Sequence, residues 1–297
     1  MKFKNGPNLY RYAKTIIPGG TTLFSKRSEL HLPNEWPAYF SKANKIHLWD
    51  IKGDKYLDMF CAVGTSILGY NNDKVNKSII NCINKGNMTS LNCPEEVYLA
   101  EAITKHHPWA SMAKFTRSGG EANAVAIRIA RSNTKKKNVA FCGYHGWHDW
   151  YLSANINSKN NLNQHLMPGL NYDGLPKSLR NTSFPFPYNN FEYLLKLIKK
   201  RNIGIIKMEV MRNIKPENNF LKKIRDICDQ RKIILIFDEC TSGYRENMGG
   251  IHLKYKINPD MAIFGKALGS GYAINAIIGK KNIMKKAENT FISSTFW

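Results

Sequence analysis

From about residue 73 onward, stretches of helical periodicity alternate with short apolar runs, and no other feature restricts the fold of this chain as strongly. The helical stretches are 73–85, 94–106, 120–133, 190–201 and 218–231; the apolar runs are 139–143, 203–209, 233–238 and 261–265. Such alternation predicts an α/β domain with a mostly parallel sheet, whose ligands gather at the carboxyl ends of the strands. Before it, residues 38–60 predict strands turning at Lys52-Gly53-Asp54, an N-terminal β-meander. No internal repeat, low-complexity tract or flexible linker interrupts the chain.

At 297 residues and 43% hydrophobic, the chain can bury at least one large core. Its best apolar run, Ile233 to Phe237, is far too short to cross a bilayer, so no membrane segment is expected. The opening MKFKNGPNLYRYAK carries charge with no apolar stretch behind it, which is not a secretory signal and leads us to expect a cytoplasmic location. Six scattered cysteines lack a C-x-x-C pair and zinc spacing, so they read as reduced thiols and no metal is expected. The net charge of +22 raises the question of nucleic acid. The lysines are dispersed, however, and groups such as Lys199-Lys200-Arg201 follow helices, where cations suit the carbonyl end. No nucleic-acid partner is therefore expected; attraction of anionic substrates or phosphate is the better use of the charge.

Four local patterns carry chemistry. The run Ile233–Phe237 ends in Asp238-Glu239, carboxylates placed to meet a ligand, although alone they could equally cap the next turn. A second strand-like run, Met261 to Gly265, delivers Lys266 ahead of Gly269-Ser270-Gly271; alone it is one surface lysine in a basic chain. Ser118-Gly119-Gly120-Glu121 opens a helix, where glycine N–H groups and the macrodipole suit a phosphate, or where a tight turn simply precedes a helix. Tyr144 and His145 follow the strand ending at Cys142 and can stack on and hydrogen-bond to a planar ligand, or form a packed aromatic cluster.

The order and spacing of these four pieces resemble the class III aminotransferases, enzymes of fold type I that use pyridoxal 5'-phosphate (PLP). Within that family the likeness is nearest to glutamate-1-semialdehyde 2,1-aminomutase and to aminotransferases found with surface-polysaccharide genes. It runs from Pro18-Gly19-Gly20 to Trp297, and IFDECTSGYRENMGG with PDMAIFGKALGSGYAI is its most diagnostic part. The resemblance implies the PLP-dependent transferase fold type I, a mostly parallel central sheet flanked by helices with an N-terminal β-meander or arm. Residues 1–60 would form the arm and part of a small domain, and 61–297 the large PLP-binding domain. It implies Lys266 as the Schiff-base lysine, Asp238 as the partner of the pyridinium nitrogen, and Tyr144 stacked on the ring with His145 beside it. Cys240 takes the opposite face, Ser118, Gly119 and Gly120 hold the phosphate, Glu209 lies near the ring, and Thr295 reaches the phosphate of a partner subunit in a homodimer. Small-molecule amine and carbonyl compounds would be the substrates, with pyridoxamine phosphate carrying the amino group between them.

Four departures mark the chain. Gly120 stands where many relatives carry Ser or Thr, and Val210 where a proline commonly follows the glutamate. The stretch Thr21–Arg27 lacks the Ser and Arg pattern with which the aminomutase holds its substrate carboxylate, leaving Lys26 or Arg27 as replacements. Family members also continue for roughly another third of this length, so the C-terminal small domain is expected to be absent. The alternative to an active aminotransferase or aminomutase is then a truncated, non-catalytic PLP-fold protein or half of a split enzyme.

Overall fold

The structure, a computed structural model, describes residues 3–86, 88–169 and 171–296. Contacts divide it into two units, Met1–Asn87 and Met88–Trp297, so the division falls beyond the boundary after residue 60 read from the sequence.

In the first unit, helix α1 (Gly6–Ile16) begins where the Asn5 side chain accepts the Asn8 N–H at 2.9 Å, with a proline in the first turn. The meander follows as antiparallel strands β1 (Phe40–Asn44), β2 (His47–Asp50) and β3 (Lys55–Leu57). Its second turn lies at the predicted place: Asp50 Oδ1 accepts the N–H groups of Lys52, Gly53 and Asp54 at 2.9–3.0 Å, and Gly53 takes a φ of 99°. Helix α2 (Asp73–Lys85) is capped by Asn72. Arg27, the candidate carboxylate ligand, lies over the Phe24 ring at 4.8 Å.

The second unit contains a seven-stranded sheet in the order β4-β10-β9-β8-β7-β5-β6. Its strands are β4 (Met112–Thr116), β5 (Asn138–Cys142), β6 (Ser183–Pro185), β7 (Ile203–Glu209), β8 (Ile234–Glu239), β9 (Met261–Phe264) and β10 (Asn275–Gly279). Only β10 runs against the others among the described residues. Helices α3 (Pro94–His106), α4 (Gly119–Asn133), α5 (Phe191–Arg201) and α6 (Phe220–Arg231) connect and cover the strands. This is the expected α/β fold with a mostly parallel sheet.

The central strands are buried along their whole length, so their side chains must suit both faces. One face sets Ile205, Ile234, Ile236, Met261 and Ile263 against Ala122, Ala126, Ile129 and Ala130 of α4. The other sets Ile206, Met208, Leu235 and Phe237 against Leu194 of α5 and Phe220 and Ile224 of α6. Burying each such Ile, Leu or Phe contributes about 1.5–3 kcal/mol, which anchors the carboxyl ends of the strands as a rigid platform. Among the described residues no helix is long and apolar enough to cross a membrane.

Candidate active site

Strands in register end in register, and this places the chemistry along one edge. Glu209 closing β7 pairs with Asp238 on β8, Asp238 pairs with Ile263 on β9, and Gly265-Lys266 follow β9 directly. The chain leaving β5 adds Gly143, Tyr144 and His145 to the same edge.

Asp238 is the electrostatic centre. Its Oδ2 accepts from His145 Nδ1 at 2.8 Å and from Lys207 Nζ at 3.2 Å, and its Oδ1 accepts the Cys240 N–H at 3.1 Å. Burial opposes its ionisation, but Lys207 and then His145 outweigh that effect and hold the carboxyl far below its usual range. A carboxylate has about four lone-pair sites. Oδ1 therefore keeps one open, which suits the N–H of a ring cation. His145 is fully buried, with its other nitrogen 3.1 Å from the Cys142 carbonyl; burial and the Lys207 ammonium push its pKa down to about 4.

Lys266 Nζ donates to Thr241 Oγ1 at 3.1 Å, and its backbone takes a φ of 44°, a strained conformation held by its surroundings. Burial, reinforced by the Arg212 guanidinium, lowers its pKa and moves the amine towards the nucleophilic neutral form. Glu209 accepts the Tyr144 N–H at 3.0 Å and lies 3.6 Å from Arg212 Nε, which fixes the start of the Tyr144 loop. Burial raises the Glu209 pKa. Arg212 lies 5.8 Å from the centre of the Tyr144 ring, which is 38% exposed. Burial, and then Asp238, keep the Cys240 thiol protonated, so Cys240 is a packing group here and not a nucleophile.

The start of α4 forms the anion-binding end of the edge. Ser118 is the N-cap, its hydroxyl accepting the Glu121 N–H at 3.3 Å, while Glu121 Oε2 accepts the Arg117 N–H at 2.9 Å. Ser118 is thus committed to the helix, and among the described residues no acceptor meets the N–H groups of Gly119 and Gly120. The loop after Tyr144 packs onto this turn. A Cβ on Gly120 would lie 3.0 Å from the His148 ring, and one on Gly146 would lie 3.0 Å from Gly120 Cα. This accounts locally for glycine at position 120.

The donor set fits a planar ring with a protonatable nitrogen, a reactive carbonyl and a phosphate: an open carboxylate lone pair, a neutral-leaning amine and two free N–H groups at a helix start. Comparison with known proteins points the same way. The family model described as aminotransferase class-III matches residues 32–297. The chain belongs to that family. Among class III relatives, the 3-aminobutyryl-CoA aminotransferase of Cloacimonas acidaminovorans is 32% identical, covering 100% of this chain and 70% of its own length. The glutamate-1-semialdehyde 2,1-aminomutase of Wigglesworthia glossinidia brevipalpis is 35% identical over 93% of this chain and 64% of its own; that of Desulfovibrio desulfuricans is 32% identical over 93% and 66%. The chain thus spans about two thirds of the length of these relatives. The PLP-containing form of the FumI protein of Sphingopyxis sp. MTA144 superposes with a TM-score of 0.85 at 25% identity, covering 99% of this chain and 69% of that one. A glutamate-1-semialdehyde-aminomutase from Pseudomonas aeruginosa PAO1 gives 0.78 at 16% identity, over 97% and 64%. The class III fold is accordingly the PLP-dependent transferase fold type I.

Of the residues read from the sequence, the structure gathers Asp238, His145, Glu209, Tyr144, Cys240 and Lys266 at one sheet edge and places Ser118, Gly119 and Gly120 at the start of α4. Thr295 is exposed; the next residue, Phe296, offers its carbonyl to Arg117 Nε at 2.8 Å. Trp297 lies outside the described residues. Four residues went unread: Lys207, Thr241, Arg212 and Asn275, whose Oδ1 lies 4.0 Å from Cys240 Sγ. Lys207 alone left a signal, a single charge inside the run Ile203–Met208.

Proposed function

We propose that the chain binds PLP at this edge and transfers amino groups between small-molecule amines and carbonyl compounds in the manner of glutamate-1-semialdehyde 2,1-aminomutase. The observation that carries this reading is the convergence of Lys266 Nζ, the open Oδ1 of Asp238 and the Gly119–Gly120 turn. The aminomutase type rests on relatives at 32–35% identity.

Bound PLP supplies a carbonyl that combines with amines and a ring that draws electrons from the carbon bearing the nitrogen. Asp238 Oδ1 would accept a hydrogen bond from the ring nitrogen. The N–H groups of Gly119 and Gly120, at the positive end of α4, would hold the phosphate. Tyr144 and Cys240 would pack against the ring, with Glu209 fixing the Tyr144 backbone. Lys266 Nζ, whose pKa burial and Arg212 lower, would take the proton from the substrate carbon and return it as a general base and acid. We assign Thr295, exposed as it is, to the phosphate of a partner copy in a homodimer.

Borohydride trapping tests the assignment. Reduction of the PLP-loaded protein should leave a phosphopyridoxyl mass on the peptide containing Lys266 and on no other, and Lys266→Ala should remove it. A label on a different lysine, or none, would contradict the proposal.

A further inference from the structure

The first turn of α4 has a side-chain neighbour that the cofactor assignment above leaves without a role. In a helix every Cα–Cβ bond tilts towards the N-terminus, so the space that a Cβ would fill at Gly120 lies towards the open start of α4. Rings from the loop after β5 border that space. His148 Cδ2 lies 3.0 Å from the Cβ position and His148 Nε2 3.3 Å, with Trp147 Nε1 at 3.7 Å. The two rings stack, their centres 4.6 Å apart and their planes 20° apart, so the indole supports the imidazole against the helix start.

The other polar side chains of this turn are engaged. Ser118 caps the Glu121 N–H, Glu121 is turned back onto the Arg117 N–H, and Arg117 Nε donates to the Phe296 carbonyl at 2.8 Å. Neither ring nitrogen of the half-buried His148 has a hydrogen-bond partner among the described residues, and the N–H groups of Gly119 and Gly120 have none either. An anion resting on those two N–H groups would therefore meet His148 Nε2, the side-chain nitrogen nearest the Gly120 Cβ position.

We propose that His148 is a further cofactor-binding residue, whose Nε2 donates to the phosphate of bound PLP beside the Gly119 and Gly120 N–H groups. This rests on the PLP reading above and deepens it. Glycine at position 120 lets the imidazole come this close, because any Cβ there would press on the ring. His148 then serves to tell a phosphorylated pyridoxal from an unphosphorylated one and takes no part in proton movement at Lys266.

The test compares the affinities of PLP and of pyridoxal, which lacks the phosphate, read from the visible band that each forms with the parent and with His148→Ala. In the variant PLP affinity should fall about tenfold or more, as expected for loss of a hydrogen bond to a charged group, while pyridoxal affinity stays the same. Equal losses for the two ligands would mark His148 as merely structural and overturn the proposal, and so would an unchanged PLP affinity. The parent gives a second check that holds even if the variant does not fold. Diethyl pyrocarbonate modification of His148 in the apoprotein, mapped by peptide mass, should be slowed by PLP and by inorganic phosphate and not by pyridoxal. Modification at the same rate with PLP bound overturns the proposal and leaves the cofactor reading standing. A parent that forms no band with PLP overturns the cofactor reading and this inference with it.

Discussion

Asp238 and Lys207 stand or fall together, because each is the buried counter-ion of the other. Removing one partner of such a pair leaves an uncompensated charge and typically costs about 3–5 kcal/mol. Asp238→Asn should lose stability on that scale in urea unfolding of the apoprotein. The double variant Asp238→Asn, Lys207→Met should recover most of the loss, whereas independent sites would add. His107 offers a second residue-scale check. Its ring is buried, Nδ1 lies 2.7 Å from the Ile103 carbonyl, and burial pushes its pKa down to about 4. The folded state refuses a proton that the unfolded chain accepts below about pH 6.5, so this group lowers stability as pH falls from about 6.5 towards 4. Glu209, raised by burial, works in the opposite sense, so the informative quantity is a difference. Between pH 7 and pH 5, His107→Leu should lose less Tm than the parent. Equal slopes would contradict the assignment. Lys207 shows why sequence reading stops short at this scale: one charge in an apolar run, in a chain with 44 Lys and Arg residues, has no partner until the strands beside it are known.

At the scale of elements, the sequence was legible where a segment is buried on both faces. β8 is an unbroken apolar run and β7 an apolar run interrupted by Lys207, both ending in carboxylates, and α2, α3 and α4 keep their helical period almost from end to end. β4, β6 and β10 were not recognised. β4 and β6 are the sheet edges, β4 only partly buried over most of its length and β6 three residues ending in proline, a composition that edges permit and centres do not. β10 is fully buried but holds only Ala276, Ile277 and Ile278 between Asn275 and Gly279, too short a run to stand out. Missing β10 also meant missing Asn275, which enters the site only because β10 inserts between β4 and β9. The turn after β9 depends on that insertion. A Cβ on Gly265 would come within 2.0 Å of Asn275 Oδ1 and 3.2 Å of Cys240 Sγ. Gly265→Ala should therefore destabilise the protein by about 1–3 kcal/mol in urea unfolding, the usual cost of overpacking. Adding Asn275→Ala should return part of it, and an unaffected Gly265→Ala midpoint would show the turn to be looser than described.

For the whole molecule, order along the chain mattered more than any single motif. The glycine turn, the aromatic loop, the strand-end carboxylates and the lysine were each ambiguous alone; their sequence order places them on β4–α4, after β5, on β7 and β8, and after β9, and the parallel sheet turns that order into one edge. What the fold adds is the charge balance across that edge, in which a buried lysine, a carboxylate and a neutral histidine share a site with an amine pushed towards neutrality. The most direct measurement of the central claim is the visible absorption of the purified protein with PLP, before and after adding candidate amines, beside Lys266→Ala. A band formed by the parent, absent from the variant and bleached by an amine, is the predicted result. No band in the parent, or the same amine-sensitive band in Lys266→Ala, would contradict the assignment of this edge as the site of amino transfer.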